Sequence, residues 1–294
     1  MTQLIFLFFI LFSISSYGQD IDELKNEYNS LIDKKYVLLP HKGTYFLPLS
    51  YNNNPNNDPY TQLEEVAKNE DRGKFNRYLE SEFQVSFLIL TNKNFLNSGF
   101  NTFIGYTSQS FWQIYNSEWS RPFRETNYMP ELFGRYIFEH EKSILGMKFL
   151  GYDVGYMHHS NGQIQELSRS WDRVFLRGAF LKRNLLFTLT LWSRLPEKNG
   201  EDDNPDIHQY KGYGELDISY KFKEDNLEFK LIPGTKYVGG ELSYTTPMKE
   251  GLRFYTKISH GYGLSLQDYD HESRKFGIGF IISDPLSARK EVNE

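Results

Sequence analysis

The sequence predicts an antiparallel transmembrane β-barrel, all-β in class, and three observations carry that prediction. Phe, Tyr and Trp make up 17% of the 294 residues, although the mean hydropathy is only −0.57. Several segments alternate between apolar and polar residues, with charges on the polar face. A barrel with a polar lumen has both properties because only every second strand residue faces lipid. After residue 18, no run approaches the ~20 apolar residues that a membrane helix needs.

The chain begins with a predicted signal peptide at residues 1–18. Leu4 to Phe12 is an unbroken apolar run that is too short to span a bilayer as a helix. Small residues at Ser16 and Gly18 indicate cleavage before Gln19, although the segment lacks Lys and Arg. The chain has no cysteine, so a large hydrogen-bonded scaffold must hold the exported protein without disulfides. The net charge of −5 excludes an electrostatic footprint for nucleic acid.

The mature chain is predicted to contain one domain. We expect an N-terminal arm at 19–40, the outer-membrane barrel at 41–286 and a polar C-terminal tail at 287–294. The arm has the composition of a short polar helix or an ordered segment. Asn- and Pro-rich residues 52–59 and acidic residues 197–205 are predicted loops. Counting the alternating segments gives ~10–14 strands at the spacing of antiparallel hairpins.

Alternation is clearest from Lys211 to Phe222, where apolar or small residues occupy even positions and mostly polar residues the odd ones. The same two-residue period recurs at 252–259 and at 275–282, and more weakly at 83–90. A soluble, secreted β-sandwich or a lipocalin-like barrel also alternates, so that fold remains open at this point.

Candidate catalytic residues lie between Gly155 and Arg173. By the two-residue period, His158 and Ser160 share the apolar face of one strand, and Asp172 shares the same face of the next. Pairing these strands as a hairpin brings Asp172 beside His158. The three side chains are those of a hydrolase triad, in which Ser160 attacks an ester carbonyl, His158 accepts its proton and Asp172 orients the imidazole.

Each candidate also has a simpler interpretation. A His-x-Ser pattern is common and, by itself, is more often structural. Asp172 could instead pair with an arginine at the membrane interface, and His159, on the opposite face, is a lumenal residue or the true base. A charge on a lipid-facing row is costly unless it is paired, which argues against an inert Asp172.

Short motifs elsewhere in residues 105–282 accompany this segment. They comprise His158-His159-Ser160-Asn161-Gly162, Ser168-Arg169-Ser170-Trp171-Asp172-Arg173, Phe111-Trp112-Gln113, Asn116-Ser117-Glu118, residues 122–128, residues 202–207 and residues 261–269. Together they resemble the outer-membrane phospholipase A family, a family of Gram-negative barrel lipases. The resemblance implies a twelve-stranded barrel in the bacterial outer membrane, with its active site at the outer leaflet.

The resemblance further implies an enzyme, a phospholipase A1 and A2. It would hydrolyse acyl esters of membrane phospholipids and lysophospholipids with Ca²⁺ as cofactor, and homodimerisation would activate it. His158 would be the proton acceptor, Ser160 the nucleophile and Asp172 the residue that orients His158, although family members usually carry asparagine there. The alternative function is a non-enzymatic outer-membrane barrel, a narrow pore or structural protein, that retains the motif.

The resemblance places Ca²⁺ at the interface of two subunits. Its ligands would be Ser168 and the main-chain carbonyl of Gln163 from one chain and Ser120 from the other. Gln163 stands where family members commonly carry arginine, a change that a carbonyl ligand tolerates. The family's interface glutamine is replaced by Ser108, with Gln109 next to it, which puts the strength of the dimer in doubt.

Overall fold

The computed structural model describes residues 28–29, 32, 38–198, 200, 202–249 and 251–283, and shows a closed antiparallel barrel. The predicted signal peptide at 1–18, the tail at 287–294 and most of the arm at 19–40 lie outside the described residues. The strands are β1 (Leu39–Pro40), β2 (Thr44–Asn52), β3 (Leu79–Asn92), β4 (Asn101–Trp112), β5 (Phe123–Ile144), β6 (Met147–Ser160), β7 (Ser170–Lys182), β8 (Leu185–Arg194), β9 (Gly214–Phe222), β10 (Asp225–Pro233), β11 (Val238–Lys249), β12 (Leu252–Gly261) and β13 (Ser273–Ser283).

The twelve strands β2 to β13 form the barrel, which confirms the predicted fold class. Each pairs with its neighbour in sequence, and β13 closes the ring by pairing with β2. The two-residue β1 pairs with β3. Two short helices, α1 (Glu64–Asn69) and α2 (His208–Lys211), lie in the connections between strands. No helix among the described residues is long and apolar enough to cross a membrane.

The two ends of the barrel differ in the length of their connections. The β5–β6 and β7–β8 connections are tight turns, whereas β2–β3, β6–β7 and β8–β9 are joined by long loops at the opposite end. Outer-membrane barrels carry short turns on the periplasmic side and longer loops outside. We therefore assign the long-loop end, where β6 terminates at Ser160, to the cell exterior.

The faces of the strands follow the predicted alternation. On β12, Tyr255, Lys257 and Ser259 are buried inside the barrel, whereas Ile258 is 51% exposed on the outside. Large apolar residues cover the outer surface elsewhere as well, among them Ile104, Leu132, Val154 and Leu176. Such an outer surface suits lipid, so the soluble β-sandwich considered from the sequence is wrong.

Paired charges fill the lumen toward the outer end. Arg124 donates to Glu80 at 2.7 and 3.2 Å, to Asp268 at 3.0 Å and to Glu125 at 3.2 Å. Lys275 contributes a further bond of 2.7 Å to Glu80. All five side chains are buried, and each buried charge has an opposite partner, as burial requires. Side chains therefore fill this part of the lumen, whereas a pore would need an aqueous channel.

A second group of charges and an apolar cluster occupy the lumen toward the short-turn end. Glu131 accepts hydrogen bonds from Lys42 at 2.8 Å and from Arg177 at 2.9 Å. Ile32, in the described part of the arm, is 5% exposed and packs with Leu88 and Phe103. Ile32 of the arm therefore lies against the interior of the barrel.

Candidate active site

His158 and Asp172 lie directly opposite each other in the β6–β7 ladder. His158 Nδ1 is 2.8 Å from Asp172 Oδ1. The two side chains are 37% and 35% exposed on the outer surface of the barrel. The local sequence explains why these two side chains meet. The alternation of the strands turns both residues outward, and the loop of residues 161–169 sets the register of the hairpin. The sequence predicted this pairing.

Ser160 is the last residue of β6 and follows His158 on the same face. It lies opposite Ser170 of β7 and opposite Tyr128 of β5, so its backbone is held from both sides. The described structure contains no hydrogen bond between Ser160 and His158. Their α-carbons are ~7 Å apart along a strand, and catalytic hydrogen bonds commonly tighten only when substrate binds. Since Asp172 occupies Nδ1, Nε2 is the ring nitrogen of His158 that is available to another group.

Tyr156 completes a row of polar groups on the same face. Its hydroxyl donates a 2.5 Å hydrogen bond to Asp172 Oδ1, the oxygen that also contacts His158. The two-residue period places Tyr156 on the same face as His158 and Ser160, but no pattern in the sequence indicates a role for it. Only its position two residues before His158 on the same strand face could have suggested one.

His159 is the lumenal residue that the sequence predicted, and the alternatives of His159 as the base and of Asp172 as the partner of an arginine do not fit the geometry. His159 points into the barrel, is 6% exposed and lies 3.4 Å from the indole nitrogen of Trp171, so it is on the wrong face to serve Ser160. Arg173 also points inward, with its guanidinium 3.7 Å from the centre of the Trp171 ring. Asp172 contacts His158 and Tyr156 instead of an arginine.

The loop of residues 161–169 carries two of the three predicted calcium ligands. The buried Asn161 shapes it, because its Oδ1 accepts from the amides of Gln163 and Arg169 at 3.2 and 3.0 Å. Gln163 is exposed. Ser168 donates a 2.6 Å hydrogen bond to Asp203 in the β8–β9 loop. The sequence had matched residues 202–207 to the family without giving Asp203 a role.

Ser120, the third predicted ligand, is on a different loop, the connection between β4 and β5. It is exposed and has a left-handed backbone, with φ of 58°. Glu118 anchors this loop by accepting a 2.7 Å hydrogen bond from the amide of Gly73. The hydrogen bond from Arg77 lowers the pKa of Glu118, so the anchoring carboxylate is ionised at neutral pH.

Oxygen atoms dominate this candidate calcium site. Two serine hydroxyls, a main-chain carbonyl and the carboxylate of Asp203 are all ligands of the hard type that Ca²⁺ prefers. Among the described residues, no group of three or more His, Cys, Asp or Glu side chains forms a metal-binding cluster. The oxygen donors on these loops are thus of the chemical type that suits Ca²⁺.

The barrel is closed and its outer surface is apolar, apart from the His, Asp and Ser side chains described above. These features identify an outer-membrane β-barrel with a candidate active site that faces lipid. A family model described as "Phospholipase A1" matches residues 22–282. The chain therefore belongs to the phospholipase A1 family.

Individual relatives agree with this assignment. The phospholipase A1 of Escherichia coli K12 is 33% identical over 260 residues, which cover 86% of this chain and 83% of that protein. The structure of outer membrane phospholipase A from Escherichia coli is 31% identical, with a TM-score of 0.76, and the match covers 85% of this chain and 99% of that one.

A crystal structure of the Salmonella typhi outer membrane phospholipase, a dimer with bound calcium, is 30% identical, with a TM-score of 0.78. That match covers 88% of this chain and 97% of the other. The protein is thus a phospholipase of the bacterial outer membrane.

Proposed function

We propose that the protein hydrolyses acyl esters of phospholipids and lysophospholipids with a Ser160–His158–Asp172 triad, requires Ca²⁺ and is activated by dimerisation. The observation that carries the proposal is the 2.8 Å contact between His158 and Asp172 on the lipid-facing surface. Placing a polar pair against lipid costs free energy, so its presence there indicates a function. Cleavage at both acyl positions, as phospholipase A1 and A2, is part of the proposal.

The chemistry proceeds in two halves. Ser160 Oγ attacks the ester carbonyl carbon while His158 Nε2 accepts its proton, and Asp172 stabilises the resulting imidazolium. His158 then gives the proton to the leaving alcohol, which departs as the lysophospholipid. In the second half, water attacks the acyl-enzyme carbonyl while His158 Nε2 accepts a proton from the water. The bond between Ser160 Oγ and the acyl carbon then breaks, His158 returns the proton to Oγ, and the fatty acid leaves.

The Ca²⁺ ion would be held by Ser168, the main-chain carbonyl of Gln163 and Ser120 of a second copy of the chain. Asp203, 2.6 Å from the Ser168 hydroxyl, adds a carboxylate oxygen beside this set. When bound, the ion would supply positive charge for the developing oxyanion. The Salmonella typhi relative, a dimer with bound calcium, supports the combination of calcium with a dimer.

Dimerisation would keep the enzyme latent until two subunits associate. A permanently active phospholipase would degrade the membrane that holds it. Because the ligands come from two chains, a single subunit has an incomplete calcium site. Few charged ligands also imply weak binding, so that activity follows both subunit association and the calcium concentration.

The proposal is tested by lipid hydrolysis with purified, detergent-folded protein in Ca²⁺ or in chelator. We expect hydrolysis only with Ca²⁺, and its loss in Ser160→Ala. Ser193→Ala is the matched control, since Ser193 is an exposed serine in β8 that lies opposite Val174. Activity that survives Ser160→Ala would refute the mechanism, and equal activity in chelator would refute the calcium requirement. Conductance in a planar bilayer without hydrolysis would favour the non-enzymatic barrel.

A further inference from the structure

We propose that Tyr156 is a positioning residue, which holds the Asp172 carboxylate in the orientation that His158 needs. This inference rests on the proposed function, because it assigns the support of the triad suggested there. Tyr156 does not touch the reacting atoms. It acts on Asp172, and through Asp172 on the imidazole of His158.

The geometry concentrates two donors on one oxygen. Asp172 Oδ1 lies 2.5 Å from the Tyr156 hydroxyl and 2.8 Å from His158 Nδ1. A carboxylate oxygen has two lone pairs, so it accepts both hydrogen bonds together. Two donors at fixed positions determine the rotation of the carboxylate about its bond to the chain. Without Tyr156, the His158 imidazole would be the one remaining donor that holds this rotation.

The backbone of Tyr156 is held from both sides. It lies opposite Leu132 of β5 and opposite Val174 of β7. The ring of Tyr156 extends diagonally across the β6–β7 ladder to Asp172, which is two residues before Val174 on the same face. The hydroxyl is thus placed by a strand in the interior of the sheet, which is a more rigid support than a loop.

The lipid-facing position makes this support necessary. A carboxylate near hydrocarbon is costly when it lacks partners. The neighbouring cations do not supply them, because Arg173 stacks on Trp171 inside the barrel and Arg177 bonds to lumenal Glu131. A hydrogen bond to a charged acceptor is about twice as strong as one between neutral groups. Tyr156 therefore matters more beside aspartate than it would beside asparagine.

The test is a mutant cycle measured as calcium-dependent lipid hydrolysis by the full chain in detergent. We expect Tyr156→Phe to lower kcat about tenfold with KM unchanged, the fold-change for about 1.4 kcal/mol. In an Asp172→Asn background the same change should cost about threefold, and in Asp172→Ala it should cost nothing further. Tyr152→Phe is the matched control, because Tyr152 lies on the same face of β6 and its ring stacks with Phe149.

The outcomes separate this inference from the proposed function. A Tyr156→Phe enzyme with wild-type kcat, while Ser160→Ala is inactive, would overturn only the role of Tyr156. An equal loss from Tyr156→Phe in the Asp172 and Asp172→Ala backgrounds would also overturn it, because the effect would then not pass through Asp172. Retained activity in Ser160→Ala would instead overturn the triad itself. Circular dichroism and heat-dependent gel migration check that each variant is folded.

Discussion

The hydroxyl of Ser168 donates a 2.6 Å hydrogen bond to Asp203, which ties the loop that follows His158 and Ser160 to the β8–β9 loop. The contact sets a carboxylate beside a residue proposed to bind Ca²⁺. It joins two stretches of sequence that are 35 residues apart. No strand period relates loop residues at such a distance.

The Ser168–Asp203 contact predicts that Asp203 affects calcium affinity. We expect Asp203→Asn to raise the Ca²⁺ concentration for half-maximal hydrolysis several-fold and to leave the rate at saturating Ca²⁺ nearly unchanged. The reason is that a carboxylate oxygen attracts the ion more strongly than an amide oxygen. The control is Glu166→Gln, which removes a charge from an exposed position on the loop of residues 161–169. Equal calcium curves for Asp203→Asn and wild type would contradict the prediction.

The third position of the triad is tested by two substitutions of Asp172. Asparagine keeps an oxygen that accepts from His158 Nδ1, whereas alanine removes it. We expect Asp172→Asn to stay within about threefold of wild-type kcat and Asp172→Ala to lose about tenfold or more, as loss of an orienting hydrogen bond to a charged partner implies. Steady-state hydrolysis measures both. If both variants match wild type, Asp172 does not orient His158.

Position 108 is predicted to control dimer strength. Ser108 lies on the outer surface of β4 opposite Tyr128, whereas Gln109 points inward and bonds to Glu82 at 3.0 Å. Gln109 therefore cannot replace the missing interface glutamine.

We expect Ser108→Gln to increase the dimer fraction, because a glutamine amide can form hydrogen bonds between two subunits inside the membrane. Sedimentation or cross-linking in detergent, with and without Ca²⁺, measures it. Gln109→Ser is the control and should leave the dimer fraction unchanged. No gain in dimer from Ser108→Gln would show that this position does not limit association.

The charges around Arg124 are predicted to stabilise the outer end of the barrel. Arg124→Met would leave Asp268 and Glu125 buried without their cation, and Glu80 with Lys275 alone. Breaking a buried ion pair on one side typically costs about 3–5 kcal/mol. Urea unfolding from lipid vesicles measures the loss, and Arg121→Met, at an exposed loop position, is the control. A change below about 1 kcal/mol in Arg124→Met would contradict this role.

The sequence was sufficient for the barrel and for the candidate catalytic pair. The two-residue period predicted which residues of β12 face outward and that Lys257 faces inward. It could do so because lipid requires apolar side chains whereas the lumen accepts polar ones. The same period, together with a short loop, fixed the pairing of His158 with Asp172.

Other features depended on three-dimensional contacts that no period encodes. Tyr156 reaches Asp172 diagonally, which requires the side-chain direction as well as the face. Asp203 reaches Ser168 across two loops, and Ile32 in the arm is buried against strands far along the chain. The proposed calcium site would combine Ser168 with Ser120 of a second copy of the chain, so one sequence supports it only by resemblance.

The most direct test of the proposed mechanism is calcium-dependent phospholipid hydrolysis by wild type, Ser160→Ala and Ser193→Ala, each folded in detergent. We expect wild type and Ser193→Ala to release fatty acid in Ca²⁺ and to stop when chelator is added, and Ser160→Ala to be inactive throughout. Fatty-acid release by folded Ser160→Ala at the wild-type rate would contradict the assignment of Ser160 as the nucleophile.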